Sequence, residues 1–299
     1  MRVLVLGASG MLGHKLLSVL SDSVECWGTA RPQAGERLRR AGYEATRLVT
    51  IPGLPIGASL NEALDRARPD VVVNCIGVVK QSDEATNAVR SIEVNSLFPH
   101  QVAEACSTQG SRLIHISTDC VFSGKSGGYS ERETPDAVDL YGRSKLLGEV
   151  TGNGHLTLRT SIIGRELAGA QGLLEWFLSQ RGRSVRGFER AFFSGLTTLS
   201  LARVIEEIVL NHDSLSGLYH VASPRIDKFD LLQKLNDAFA TGTEIMPDQT
   251  LSIDRSLDGS EFTEATGISV PDWDDMVEAM ARDSNAFGYD RLRANLAGS

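Results

Sequence analysis

An apolar run at residues 3–6 opens directly into Gly7-Ala8-Ser9-Gly10-Met11-Leu12-Gly13, and residues 13–20 then carry helical spacing. The order strand, G-x-x-G-x-x-G, helix constrains this chain more than any other feature. In such a unit the first glycine turns the chain out of the strand and the second lets backbone N–H groups approach a pyrophosphate. The third lets the helix pack close against the sheet. The helix N-terminus adds unpaired N–H donors and a dipole that favours anions. Gly7, Ser9, Gly10, Met11, Leu12 and Gly13 are thus candidate dinucleotide contacts, Ser9 through its hydroxyl. A glycine set alone is weak evidence, but its place at the first strand-to-helix turn is the confirming context.

Further short apolar runs at 24–27, 71–75, 113–116 and 156–158 read as buried strands, too short for helices and several of them β-branched. Between them, 34–41, 60–67 and 84–107 have helical spacing. The alternation predicts an α/β fold: a doubly wound parallel sheet of Rossmann type, with right-handed crossovers. After residue 164 the pattern changes. Helices at 173–180 and 199–210, a strand at 218–221, a helix at 228–239 and a last helix near 273–281 suggest a smaller substrate lobe. We therefore divide the chain into a dinucleotide-binding part, 1–164, and a mainly substrate-binding lobe, 165–299, interleaved with the sheet.

The end of the second strand distinguishes the cofactors. A carboxylate about 20 residues past the turn would bind the ribose hydroxyls of NAD, whereas Arg accommodates a 2′-phosphate. Here the segment is Gly28-Thr29-Ala30-Arg31-Pro32, without an acid, so NADP(H) is favoured and NAD(H) stays open. Cys75, Ile76 and Gly77, at the end of the strand at 71–75, would lie beside the adenosine ribose.

With 30 basic and 38 acidic residues the formal charge is −8, which argues against nucleic acid as a partner. One anionic ligand in a local basic pocket remains compatible with it. Cys26, Cys75, Cys106 and Cys120 form no CxxC pair, and the six histidines lack metal-ligand spacing, so neither a disulfide framework nor a metal is expected. His14, just past the turn, is assigned to the helix surface. No apolar window is long enough for a membrane span, and the N-terminus lacks a signal-peptide pattern. A soluble, cytoplasmic protein is expected.

Tyr141 and Lys145 are four residues apart, on one side of one helix. A phenol is a poor acid–base group at neutral pH, and a nearby ammonium favours its ionised form. The same Lys can hold the nicotinamide ribose. Residues 113–116 lead into Ser117-Thr118-Asp119, where the Thr118 hydroxyl would reach a substrate oxygen at the carboxyl edge of the sheet. Asn95, inside a long apolar helix, needs hydrogen-bond partners if buried.

The glycine turn, 117–124 (STDCVFSG) and 141–149 (YGRSKLLGE) resemble the extended short-chain dehydrogenases, and within them the dTDP-4-dehydrorhamnose reductase family. The resemblance covers about the first 165 residues well. It implies reduction of the C4 ketone of a nucleotide-linked 6-deoxy sugar, with Thr118, Tyr141 and Lys145 as the catalytic set. It implies also that Ser117, Thr160, Ser161 and Ile162 line the cofactor, and that Asp119, Cys120, Val121 and Phe122 lie at the sugar. Asn95 would support Lys145 through water, and homodimers are frequent in the family. Cys120 stands where the family usually has Tyr, Ser123 where it has Asp, and the segment after Thr160 lacks an expected aromatic residue. These departures bear on the sugar, not on hydride transfer. Arg165 is the preferred clamp for a diphosphate. Phe177 is assigned to the core, and Trp176 to the core or the border of the sugar pocket. Two alternatives stay open: an epimerase of the same fold, and a non-catalytic cofactor-binding subunit like the regulatory subunit of methionine adenosyltransferase. A dehydratase would want Asp-Glu after the Thr, and the chain has Asp119-Cys120.

Overall fold

Seven parallel strands form the main sheet of the computed structural model, which describes residues 1–44, 47–54, 56–78, 86–290 and 292. The first half alternates β1 (Arg2–Leu6), α1 (Met11–Leu20), β2 (Glu25–Ala30), α2 (Pro32–Arg40), β3 (Leu48–Thr50), α3 (Ala58–Ala67) and β4 (Val71–Asn74). Then come α4 (Ala88–Ser91), a π-helical turn (Ile92–Leu97), α5 (Phe98–Gln109), β5 (Arg112–Thr118), α6 (Leu140–Leu147) and β6 (Leu156–Thr160). Val3, Leu4, Val5 and Leu6 are fully buried, as a strand covered on both faces requires.

The second half contributes β7 (Ile162–Ile163), α7 (Leu173–Leu178), β8 (Ser184–Phe188), β9 (Ala191–Phe193), β10 (Leu196–Thr197) and α8 (Thr198–Asn211). They precede β11 (Gly217–His220), β12 (Ile226–Asp227), α9 (Lys228–Phe239), β13 (Glu244–Asp248), β14 (Ile253–Asp254), α10 (Ser260–Thr266) and α11 (Trp273–Phe287). The main sheet runs β11-β6-β5-β4-β1-β2-β3. Its order reverses between β1 and β4, which opens a crevice beyond their carboxyl ends. In register, Asn74 lies opposite His115, and Thr118 opposite Thr160. The strand from the second half, β11, extends this sheet beside β6. Small sheets β12-β9-β14, β13-β8 and β10-β7 form the rest of the β structure, and their short strands escaped the periodicity argument.

The expected helix at 84–107 is interrupted: residues 84 and 85 lie outside the described residues, and the π-helical turn separates α4 from α5. Such turns recur at functional sites because they shift one side chain out of helical register. Here it carries Asn95. Among the described residues no helix is long and apolar enough to cross a membrane.

His14 corrects its assignment to the surface, since it is fully buried. Its Nδ1 donates to the Gly10 carbonyl at 2.8 Å, and its Nε2 accepts from the Tyr289 hydroxyl at 2.6 Å. Lys15 pairs with Asp283 at 2.6 Å and lies over the Phe287 and Tyr289 rings. The chain's C-terminal part is thereby seated on the helix that follows the glycine turn, a partner 275 residues away. Burial lowers the His14 pKa to about 4. The unfolded chain therefore takes up that proton first as the pH falls. The stability supported by neutral His14 is complete above pH 6.5 and is lost progressively towards pH 4, about 3 kcal/mol in all. Melting temperature should fall across that window, and His14→Gln should flatten the slope. An unchanged slope would move the acid lability to another group.

Candidate active site

The glycine turn is built by close approach. Gly7 has φ +79°, a left-handed turn out of β1, and a Cβ at Gly13 would sit 2.2 Å from the Gly7 carbonyl oxygen. Gly10 N–H donates to that same oxygen at 3.0 Å, while Thr29 Oγ1 accepts from Gly7 N–H at 3.2 Å. The first-turn N–H groups of α1, from Met11 onward, have no intrahelical partner. A cleft lined by Gly7, Ser9, Gly10, Arg31, Cys75, Ile76 and Gly77 runs across the switch point. These expected contacts thus converge, with exposed Arg31 heading α2 at the rim. The Leu12 side chain is buried in the core, so only its backbone faces a ligand role.

Helix α6 starts at Asp139, whose Oδ1 accepts from Gly142 N–H at 2.8 Å. A Cβ at Gly142 would lie 2.2 Å from the Cys120 carbonyl oxygen, so this glycine lets the helix press against the loop after β5. That approach carries Tyr141, the neighbour of Gly142, to the loop that follows Thr118. Thr118 Oγ1 accepts from Cys120 N–H at 3.1 Å and donates to Asp119 at 3.2 Å. Lys145 is buried, donates to the Ile116 carbonyl at 2.8 Å and lies 3.5 Å from His115 Nε2.

Burial, more than any neighbour, sets the protonation states. It pushes the Tyr141 phenol up, with Cys120 and Asp119 acting in the same direction and Thr118 against it. The expectation of a phenol made more acidic by Lys145 is therefore corrected for the ligand-free protein. Lys145 itself is pushed down to about 8 by burial, opposed by Glu149 and Cys75. The buried Asp119 carboxyl is raised by burial, against the hydrogen bond from Cys120 and the charges of Arg255 and Lys228.

Several expected contacts are placed elsewhere. Ser117 donates to Glu149 at 2.7 Å, and Glu149 forms a buried two-pronged pair with Arg159, at 2.8 Å on each prong. Val121 and Phe122 are fully buried in a small core where Phe122 stacks on Tyr129 at 4.2 Å, so neither side chain meets a substrate. Arg165 corrects the diphosphate assignment: its buried guanidinium is held by Glu175 at 2.7 Å and Asp290 at 2.6 Å, over the Tyr289 ring. Phe177 is buried, while Trp176 is 38% exposed. Thr160 is buried beside Thr118, followed by partly buried Ser161 and Ile162. Asn95 bonds neither within its helix nor to Lys145. Its Oδ1 accepts from Val78 N–H at 2.9 Å, and its Nδ2 donates to Val78 O and to Ser144 Oγ, clamping α6 to the loop after β4.

Two features went unread in the sequence. Lys228 heads α9 with its ammonium 3.4 Å from the Phe193 ring centroid, lowered by burial to about 8, and Asp119 and Cys120 act on it electrostatically. Arg255 Nε donates to the Phe122 carbonyl at 3.1 Å. The second is a buried line from Asn74 through His115 to Lys145. Neither has a local motif, because the residues meet only across strands and loops distant in sequence.

A crevice at the switch point and a Thr–Tyr–Lys set near the edge of β5 are the layout of the extended short-chain dehydrogenase class. The chain belongs to the family described as the RmlD substrate binding domain, whose model matches residues 1–285. It is 30% identical to a dTDP-4-dehydrorhamnose reductase of Mycobacterium tuberculosis over 161 residues, covering 50% of this chain and 44% of that one. A dTDP-4-dehydrorhamnose reductase of Burkholderia thailandensis is 32% identical over 222 residues, 73% of this chain and 61% of the relative. The chain spans about half the length of such curated relatives. Among solved structures, a dTDP-4-dehydrorhamnose reductase from Bacillus anthracis in complex with NADP shares the fold. It has a TM-score of 0.76 and 21% identity, covering 95% of this chain and 99% of that one.

Proposed function

We propose that this protein reduces a nucleotide-linked 4-keto-6-deoxy sugar with NADPH, Tyr141 delivering the proton. The observation that carries the proposal is the close seat of Gly142 on the Cys120 carbonyl, 2.2 Å from a would-be Cβ, which brings Tyr141 to the edge of β5 one helical turn from a buried Lys145. The glycine cradle, closed to any Cβ at Gly13, fits a pyrophosphate, and the open rim at Gly77 fits a ribose. Ser9 and the N-terminus of α1 would hold the phosphates, Arg31 the 2′-phosphate, and Lys145 the nicotinamide ribose. Thr160, Ser161 and Ile162 would line the ring. Bound there, the dinucleotide supplies the hydride.

The chain's own residues do the rest. A phenol raised by burial stays protonated across the neutral range, the correct state for a donor in the reducing direction. Thr118 orients the phenol and offers its hydroxyl to the same carbonyl oxygen. As Tyr141 gives up its proton, positive charge at Lys145 stabilises the phenolate. Lys228 and Arg255 both act on Asp119 electrostatically and replace Arg165 as the groups for the diphosphate.

The test is a fluorescence titration with NADPH and NADH, followed by oxidation in the presence of dTDP-4-keto-6-deoxyglucose. Tighter NADPH binding with substrate-coupled oxidation is expected. Binding without oxidation across a panel of 4-keto sugar nucleotides would overturn the reductase proposal and leave the fold intact.

A further inference from the structure

The Asn74–His115–Lys145 line has a readable polarity. Asn74 Oδ1 accepts from Ile76 N–H at 3.0 Å, and a backbone N–H can only donate, so the amide orientation is determined. Its Nδ2 then faces His115 Nδ1 at 3.2 Å. An amide nitrogen also only donates. His115 Nδ1 is therefore the acceptor, and the proton of the neutral ring sits on Nε2. That N–H faces Lys145 Nζ at 3.5 Å. An ammonium has no lone pair with which to accept it, whereas a neutral amine has one. Lys145 Nζ is at the same time committed to the Ile116 carbonyl at 2.8 Å, as either form allows.

We propose that Asn74 and His115 are positioning residues of the active site: Asn74 sets the His115 tautomer, and the Nε2–H so presented favours the neutral amine at Lys145 in the ligand-free protein. The proposal rests on Lys145 belonging to the site described above, and it concerns its state before the cofactor arrives. The groups around Lys145 make the balance a close one. Glu149 and Cys75 favour the ammonium, burial opposes it, and Tyr141 shares its helix. His115 is itself held neutral by burial, with Lys145 and His100 acting in the same direction. Register pairing of Asn74 with His115 across β4 and β5 makes the line part of the sheet and not of a mobile loop.

The experiment reads the tautomer directly by NMR of the imidazole nitrogens in the full chain, together with a titration of the Lys145 side-chain nitrogen. A proton on Nε2 of His115 is expected, and a proton on Nδ1 overturns the proposal whatever the protein turns over. His115→Phe keeps a ring of similar size and removes the N–H. If the N–H disfavours the ammonium, the Lys145 midpoint rises in this variant by about half a pH unit, a threefold tighter proton. If the ring instead accepted from an ammonium, the midpoint falls. A fall or no change overturns the proposal. Should His115→Phe fail to fold, the tautomer in the unsubstituted chain still decides. None of these readouts uses a substrate, so an absence of turnover would bear on the proposed function alone.

Discussion

Tyr141→Phe is expected to lower turnover by about 10²–10⁴-fold, the range for losing a positioned general acid. The ring survives, and so do the features that hold it: the Asp139 cap on Gly142 and the close seat of Gly142 on the Cys120 carbonyl. Affinity for NADPH should therefore change by less than about twofold, because the removed oxygen does not line the cleft at the glycine turn. Steady-state kinetics beside a fluorescence titration separates the two effects. Turnover retained in the Phe variant would take the proton-donor role away from Tyr141. Loss of cofactor binding together with turnover would instead mark a structural defect in α6.

Glu149→Ala should be the most destabilising single change near the site, by about 3–5 kcal/mol, or on the order of 10 °C in melting temperature. The side chains of Arg159 and Glu149 are 5% and 7% exposed, and the carboxylate takes both prongs of the guanidinium as well as the Ser117 hydroxyl. Arg159 also lies over the Phe122 ring and 3.2 Å from His220. Removing Glu149 strands a buried charge among β5, β6 and β11. The double replacement Glu149→Leu with Arg159→Met should recover most of the loss, since the penalty comes from the unpaired charge and not from the missing bond. Thermal melts of the three variants check this, and a single-variant shift below about 2 °C would show that the pair does not hold these strands together. Glu149 also favours the Lys145 ammonium, so its loss should push that amine further down.

Much of this architecture was legible because its causes are local. A strand followed by G-x-x-G-x-x-G and a helix permits one backbone path, and the structure builds it with no space for a side chain at Gly13. Tyr141 and Lys145 share a helix face by spacing alone. The strands at 71–75, 113–116 and 156–158 appear within a few residues of their expected bounds, since buried parallel strands are continuous apolar runs. The short strands β8, β9, β10, β12, β13 and β14 had no such signature. Two to five residues do not establish a period.

Charges and buried polar groups were the least legible, because their state depends on what faces them across the fold. Arg165 looked like a free cation until Glu175 and Asp290 were seen to enclose it. His14 looked exposed until Tyr289 closed over it, and Val121 and Phe122, three and four residues past Thr118, turned into the core. Conversely Lys228, unremarkable in a helix start, was brought beside Asp119 by the small β12-β9-β14 sheet. By itself the sequence determined the fold class and the placing of the glycine turn between β1 and α1 and of Tyr141 and Lys145 on one helix, all of which rest on backbone geometry and spacing within one or two elements. Only the tertiary structure decided which cations are held by carboxylates and which polar groups face His115. Hydrogen-bond polarity and ion pairing are set by partners tens to hundreds of residues away.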